Sequence, residues 1–255
     1  MKNPILEESA EVYLRRREYM WLHISYAAAI ALFAVLLWPI QGFMTFFRTE
    51  TIPSVFQATV IVHLLAVNGI SLYVGLDRLA DDQIIHYSEW LERTNVPLGV
   101  LFRGKIIGGV VHTLFIVAAG FPFVLVASGP AGIPFAAVVA SEVIVFIAGL
   151  LGRICGMLMS HVGETRYIIR VIGAWLYVAF FYLGTLQIYR PLNPIAAVVM
   201  QHAEDSPFMQ LGRTGVLDNP LVAAGAPMLA VTIVLAAVFR FSLARHRLLT
   251  GRGVR

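Results

Sequence analysis

Cysteine and charged residues are both scarce in this sequence. Its single cysteine, Cys155, excludes an intramolecular disulfide and a cysteine-rich metal site. Only 13% of the residues are charged whereas 58% are hydrophobic, a composition too apolar for an ordinary soluble domain. In a soluble protein the net charge of +4 would suggest nucleic acid. In a membrane protein the basic residues set the orientation in the bilayer, so we expect no nucleic-acid partner.

Complete catalytic and nucleotide-binding motifs are missing as well. Gly99–Lys105 matches the first seven positions of a phosphate-binding P-loop, but Ile106 stands where that motif needs a serine or threonine for magnesium. The sequence contains neither G-x-S-x-G nor H-E-x-x-H. We therefore expect that this chain is not an enzyme by itself, that it does not hydrolyse ATP, and that it binds no metal or cofactor.

Long hydrophobic segments dominate what the sequence does contain. Five blocks are poor in charge, and the third is long enough for two spans and is interrupted at 128–132 by Ser-Gly-Pro-Ala-Gly. Each resulting segment is near the ~20 residues that a bilayer core requires. The sequence thus predicts an all-α integral membrane protein, a single transmembrane domain over residues 1–255. Its six transmembrane helices are expected at 20–44, 53–76, 106–128, 133–152, 168–189 and 220–240.

The distribution of arginine and lysine predicts the orientation of these spans. With the N-terminus in the cytoplasm, sixteen of the nineteen basic residues fall on the inner side, and only Arg48, Arg190 and Arg213 fall on the outer side. Such an excess is the positive-inside pattern. We expect a multi-pass protein of the cytoplasmic (inner) membrane with both termini in the cytoplasm. No cleaved signal peptide is expected, because residues 1–19 contain four acids and precede the first span.

Two of the segments outside the spans contain, near their start, asparagine followed by proline, a favoured helix start. Asn3-Pro4 opens residues 1–19, whose amphipathic pattern predicts a helix on the inner membrane surface. Asn193-Pro194 lies in the outer loop 190–218 and is followed by six apolar residues. Six residues cannot span a bilayer, so a short re-entrant helix is predicted there.

The inner loop 77–105 has the pattern of a second amphipathic helix. Ala80, Ile84, Tyr87 and Leu91 fall on one helical face, with charged residues opposite. Such a helix, parallel to the membrane, suits the docking of a soluble partner. An ordinary interfacial connector is the alternative.

Four polar residues inside the predicted spans are candidates for function: His63, Asn68, His112 and Glu142. A charge at the bilayer centre costs ~2.5–3.5 kcal/mol on insertion scales, so Glu142 should face the bundle interior or a wet cavity. Three roles are consistent with Glu142 at this position: a substrate contact, a proton relay or a structural hydrogen bond. His63 lies near mid-bilayer and His112 nearer the inner surface. Because two histidines that share a haem or metal must lie at a similar depth in the bilayer, this difference in depth disfavours such a site and favours interhelical hydrogen bonds.

In the order of these parts the chain resembles the permease subunits of type 2 ABC transporters, the ABC-2 exporter family. The shared features are the Asn-Pro start rich in Glu and Arg, the charged cluster and Gly-Lys before span three, and the Asn-Pro segment between spans five and six. The usual Gly-Thr-Leu after the charged cluster is replaced here by 83–89. The stretch from Leu76 to Asp82 is also similar to haem-exporter B-type permeases. The residues that match the ABC-2 pattern are Asp77-Arg78, Leu91, Thr94, Pro97 and Gly104-Lys105 before span three, and Asn193-Pro194 between spans five and six.

The resemblance implies two permease subunits, the second being another copy or a paralogue, above two separate ATPase subunits that bind ATP and magnesium. It also implies a coupling helix that docks the ATPase, followed by Gly104 and Lys105 at the cytoplasmic start of span three. No substrate is implied. The alternatives are a membrane anchor or haem-carrying subunit of a respiratory enzyme complex and, less favoured, an intramembrane enzyme. The implied docking residues are Asp77, Arg78, Asp81, Asp82, Glu89, Glu92 and Arg93.

Overall fold

A computed structural model describes residues 17–36, 55–77, 97–129, 133–162, 167–184, 195 and 225–250. This part of the chain is 97% helical and contains no strand. The α-helices are α1 (Arg17–Leu36), α2 (Val55–Asp77), α3 (Leu98–Ser128), α4 (Phe135–Val162), α5 (Tyr167–Val178) and α6 (Ala226–Thr250). A short π-helix, Ala179–Gly184, follows α5 directly.

Five of the described helices, α1 to α4 and α6, are long and apolar enough to cross a membrane. They indicate that the chain is a helical membrane protein. The described part of the predicted span 168–189 is α5 with the π-helix, whose apolar stretch is Val171–Leu183, and residues 185–189 lie outside the described residues.

Three helices extend eight or more residues beyond the predicted spans, and one of them is α6, which continues ten residues past 240 to Thr250. α3 begins eight residues before 106, so Gly104 and Lys105 lie inside the helix rather than in a loop before it. Its start is fixed at Pro97, whose carbonyl accepts hydrogen bonds from the N–H groups of Val100 and Leu101 at 2.9 and 3.1 Å. α4 continues ten residues past 152. Hydropathy marks only the part of a helix that suits the bilayer core, whereas backbone hydrogen bonding continues through the interface.

α2 and α4 run side by side in the same direction. His63 contacts Glu142, Asn68 contacts the carbonyl of Ala148, and Gly75 approaches Gly156. Residue numbers therefore rise together along both helices. α3 runs the opposite way, because its Thr113 lies beside Ser71 whereas its Gly120 lies beside His63.

α1 runs parallel to α3, since His23 meets His112 and Tyr26 meets Ile116. The first four described helices thus alternate in direction. Alternation is what successive crossings of one membrane produce.

Glycines let α2 and α4 approach closely. Gly149, Gly152 and Gly156 follow at spacings of three and four residues, which places them on one face of α4. A Cβ at Gly152 would lie 2.9 Å from the backbone oxygen of Asn68, and one at Gly149 would lie 2.8 Å from Cγ1 of Val67. Small residues at such positions are the usual device for close helix packing in membranes.

The basic residues of the described part collect at one end of the bundle, which we call the basic end. The start of α1, the end of α2, the start of α3 and the end of α4 meet there. α5 begins there too, because its Gly173 lies beside Met159. α6 reaches the same end, because Phe239 lies 6.2 Å from Phe102, centroid to centroid. The residues concerned are Arg17, Arg103, Lys105, Arg153, Arg170, Arg240, Arg245 and Arg247.

Candidate functional site

A histidine and a glutamate meet in the bundle interior, away from the basic end. His63 of α2 places Nδ1 3.3 Å from Oε1 of Glu142 on α4. The two residues are 0% and 7% exposed. The contact has the distance of an ion pair but not the alignment of a hydrogen bond, and no described residue hydrogen-bonds either side chain. Two groups that exchange protons are therefore buried together with little polar support.

Tyr26 and Gly120 complete this site. The Tyr26 hydroxyl donates a hydrogen bond to the carbonyl of Ile116 at 3.1 Å, and its ring centroid lies 6.0 Å from that of His63. The hydroxyl oxygen and His63 Nε2 both fall within 2.8 Å of the place that a Cβ would take at Gly120. A glycine is therefore required there, since any larger residue would displace both polar groups.

Asn68 forms a second polar contact between helices, closer to the basic end. It is 1% exposed, and its Nδ2 donates to the carbonyl of Ala148 at 2.6 Å and to the Tyr177 hydroxyl at 2.9 Å. Tyr177 stacks on Phe181 with centroids 5.3 Å apart. The π-helix that begins at Ala179 widens the turn, so that the sequence neighbours Phe181 and Tyr182 are both buried. Asn68 thus connects α2, α4 and α5.

His112 pairs with His23, not with His63. The two Nε2 atoms are 2.9 Å apart, and Tyr19 meets the His112 ring edge-on at 6.5 Å. Gly120, which lies beside His63, is eight residues beyond His112, or ~12 Å along the helix. The two predicted histidines therefore lie at different levels of the bundle.

Sequence reasoning missed the three α1 residues that face these sites. Tyr19, His23 and Tyr26 are spaced by four and three residues, which puts them on one side of α1. This polar stripe in an otherwise apolar helix was the signal that could have found them.

Arg153 lies just outside the predicted span 133–152, among the sixteen basic residues of the inner side, but the structure places it inside α4 and buries it to 2% exposure. A Cβ at Gly109 of α3 would lie 3.2 Å from its Cγ and 3.5 Å from its Nε. The missing side chain of Gly109 therefore gives the arginine its space. Counting charges by hydropathy could not show that the helix continues past the apolar segment.

Most of the predicted docking residues lie outside the described part of the chain. Asp77 is the last residue of α2, Gly104 is buried in α3, and Lys105 is half-buried beside it. Outside the described residues lie the N-terminal helix predicted before residue 17 and Arg78, Asp81, Asp82, Glu89, Glu92, Arg93, Asn193 and Pro194.

Together the polar contacts form a line through the interior, which we call the polar lane. It begins at Glu142 and His63, continues through Asn68 and the hydroxyls of Ser71 and Thr113, 3.5 Å apart, and ends near Arg153. Hydrogen bonding and proton exchange are the chemistry that these groups offer. The described residues contain no cluster of three or more His, Cys, Asp or Glu side chains suited to a metal ion.

No family model matches the chain, and no curated protein matches it.

Proposed function

We propose that this chain is the transmembrane permease subunit of an ABC-2 exporter. With a second permease subunit, another copy or a paralogue, it forms the path for a substrate that separate ATPase subunits drive outward. In this proposal α5, the π-helix and the residues up to 189 make the fifth of six spans. Both termini lie in the cytoplasm, and residues 193–194 begin a re-entrant segment on the outer side.

One observation carries the proposal: α2 ends and α3 begins at the basic end of the bundle. The positive-inside rule assigns a basic end to the cytoplasm. The segment 78–96, which joins the two helices, contains four acids and two arginines. A charged segment held at the cytoplasmic end is where a soluble ATPase would bind.

The length of α3 supports a mechanical role for that segment. The helix starts at Leu98, directly after the segment, and runs for 31 residues, or ~46 Å. It passes Arg153 at Gly109 and reaches His63 at Gly120. A displacement of the docking segment would therefore pass along one continuous helix to the polar lane.

Purification of the tagged chain from its native membrane tests the proposal. A mild detergent extract should contain a Walker-type ATPase in stoichiometric amount, and ATP hydrolysis should disappear when that subunit is removed. Hydrolysis by this chain alone, or its recovery without any ATPase under conditions that preserve membrane complexes, would overturn the proposal.

A haem-carrying subunit is the second candidate, because His23 and His112 face each other from two helices. Their Nε2 atoms are 2.9 Å apart, whereas a metal between two imidazoles needs about 4 Å, twice an ordinary metal–nitrogen bond. The two rings as placed do not fit an iron between them. A Soret band in the purified chain that is lost in His112→Ala would favour this candidate over the permease.

A further inference from the structure

We propose that Arg103 of α3 and Arg240 of α6 form a binding site for the phosphate headgroup of an anionic phospholipid. Arg240 places the carbon of its guanidinium group 6.0 Å from the ring centroid of Phe102, the residue before Arg103. Both arginines are exposed, although they come from opposite ends of the chain. The site lies outside the polar lane and does not depend on the permease function.

The packing of α3 against α6 holds the two arginines at one level of the bundle. The rings of Phe102 and Phe239 lie 6.2 Å apart, centroid to centroid. Phe239 is buried in a cluster with Ile154 of α4, and Phe102 packs against that cluster. Each of these two packed aromatic residues is followed directly by an exposed arginine. The arginines are therefore brought together by the fold of three helices.

Hydropathy places both arginines at the edge of the bilayer core, where phospholipid headgroups lie. The apolar segment 106–128 begins just after Arg103, and the segment 220–240 ends at Arg240. Long basic side chains at such positions extend their charge to the headgroup level. A guanidinium group forms paired hydrogen bonds with a phosphate, which makes arginine well suited to this ligand. Basic residues between helices at one end of a bundle are a known form of site for anionic headgroups.

No acid of the described part of the chain neutralises these two arginines. Among the described residues, no carboxylate lies within ion-pair distance of Arg103 or Arg240. Glu142, the acid of the bundle interior, lies at the level of Gly120. Gly120 is seventeen residues from Arg103, or ~26 Å along α3. Two positive charges held at one level repel each other, and a phosphate between them replaces that repulsion by attraction.

An apolar stripe runs from each arginine toward the bilayer core and suits an acyl chain. On α3, residues 107, 110 and 114 follow Arg103 at spacings of four, three and four. On α6, residues 236, 233 and 229 precede Arg240 at the same spacings. These spacings keep each stripe on one side of its helix, the side of its arginine. The most exposed members, each 42% exposed or more, are Ile107, Leu114, Leu229 and Ile233.

A second copy of the chain fits this surface less well than a phospholipid does. In a twofold contact the same patch meets itself, so the arginines of one copy would approach those of the other. Like charges brought together at an interface oppose association. A phospholipid supplies the negative charge and the apolar surface in one molecule, and we therefore assign the site to it.

Native mass spectrometry of the detergent-solubilised protein tests the site. Offered equal amounts of phosphatidylglycerol and phosphatidylcholine with the same acyl chains, the wild type should retain phosphatidylglycerol. Arg103→Gln with Arg240→Gln should lower that affinity roughly tenfold, because two charge-assisted contacts are lost. The matched control is Arg17→Gln with Arg245→Gln, which removes the same charge from exposed positions at the basic end. Arg17 lies on α1, and Arg245 is five residues beyond Arg240, on another side of α6.

The control variant should retain phosphatidylglycerol as the wild type does. Equal losses in the two double variants would show that net charge alone attracts the lipid, and would overturn the proposal. A wild type that retains neither lipid, or both equally, would overturn it as well. If the wild type retains neither lipid and is a dimer that the Arg103→Gln with Arg240→Gln variant dissociates, the surface belongs to a second copy.

Two further measurements separate a lipid site from a simple anion site. Inorganic phosphate and dihexanoyl phosphatidylglycerol lack long acyl chains, so neither should displace the bound lipid at equal concentration. Displacement by phosphate would contradict a lipid site. Should the glutamine variant fail to fold, Arg103→Lys with Arg240→Lys keeps both charges but cannot form the paired hydrogen bonds to phosphate, and it should still bind the lipid more weakly. Unchanged retention in that lysine variant would overturn the proposal.

Discussion

Gly75 on α2 and Gly156 on α4 bring two helix backbones into direct contact: a Cβ added to Gly156 would lie 2.9 Å from the Cα of Gly75. Backbone atoms cannot move aside as a flexible side chain can. The contact therefore fixes the distance between α2 and α4 near the basic end. Toward the other end, the same two helices meet through Asn68 and then through the pair of His63 and Glu142.

Replacement of Gly156 by alanine should destabilise the protein, because the added methyl group meets backbone on α2. Overpacking of this kind costs typically about 1–3 kcal/mol. Gly69→Ala, also on α2, is the matched control, since nothing lies within 4 Å of its Cβ position. It should be neutral or stabilising by about 0.5–1 kcal/mol through helix propensity. Thermal unfolding in one detergent compares them, and equal stability of the two variants would show that the crossing tolerates a side chain.

Glu142→Gln should be more stable than Glu142→Leu. The 3.3 Å contact puts a glutamine amide within reach of Nδ1 of His63, to which it can donate a hydrogen bond. Leucine offers no donor to this buried nitrogen, and a buried polar group left unsatisfied costs about 1–3 kcal/mol. Unfolding at pH 7.5 measures the difference. If leucine is tolerated as well as glutamine, a hydrogen-bonding role is excluded. If glutamine preserves folding but abolishes transport, a structural hydrogen bond does not explain the residue, and a proton or substrate role for Glu142 is favoured.

Asn68→Leu should cost more stability than Tyr177→Phe. The leucine variant loses the bonds to Ala148 and to Tyr177 and leaves both acceptors in the core, whereas the phenylalanine variant loses one bond and keeps the other. Each unsatisfied buried group costs about 1–3 kcal/mol. Unfolding of both single variants and the double variant gives the coupling energy. A coupling near zero would mean that Asn68 and Tyr177 act independently.

The hydropathy of the sequence predicts the long apolar helices but not where they end or how they face one another. α3 begins at Leu98 and α4 runs past Arg153 because helical hydrogen bonding does not stop where hydropathy falls. The burial of Glu142 can be predicted from the sequence, because a charge exposed to lipid is costly. The identity of its neighbour cannot be predicted, because contact with His63 rather than His112 depends on how the helices are rotated and on the depth of each residue. The role of Gly120 cannot be predicted from the sequence either, because a single glycine carries no signal that two side chains from other helices pack against it.

The orientation of the bundle can be tested with single cysteines. In a Cys155→Ser background, a cysteine at Gln210 should react with an impermeant thiol reagent added to intact cells, and one at Ser88 should react only after permeabilisation. The reason is the collection of basic residues at the end where α2 and α3 meet residues 78–96. Labelling in the reverse pattern would place the basic end outside and remove the basis for cytoplasmic docking.

Charge reversal in the segment between α2 and α3 tests the route by which ATP-driven motion would reach the membrane domain. Glu89→Lys with Glu92→Lys should weaken association with the ATPase and uncouple hydrolysis from transport, while membrane insertion and unfolding temperature stay normal. Two reversals are needed because an exposed ionic contact is worth only about 0–1 kcal/mol. Glu18→Lys is the control, because this acid also lies at the basic end but on α1, and it should leave copurification unchanged. If the double variant copurifies with its ATPase and transports normally, the docking surface lies elsewhere. The amphipathic pattern of 77–105 would then indicate only an interfacial connector.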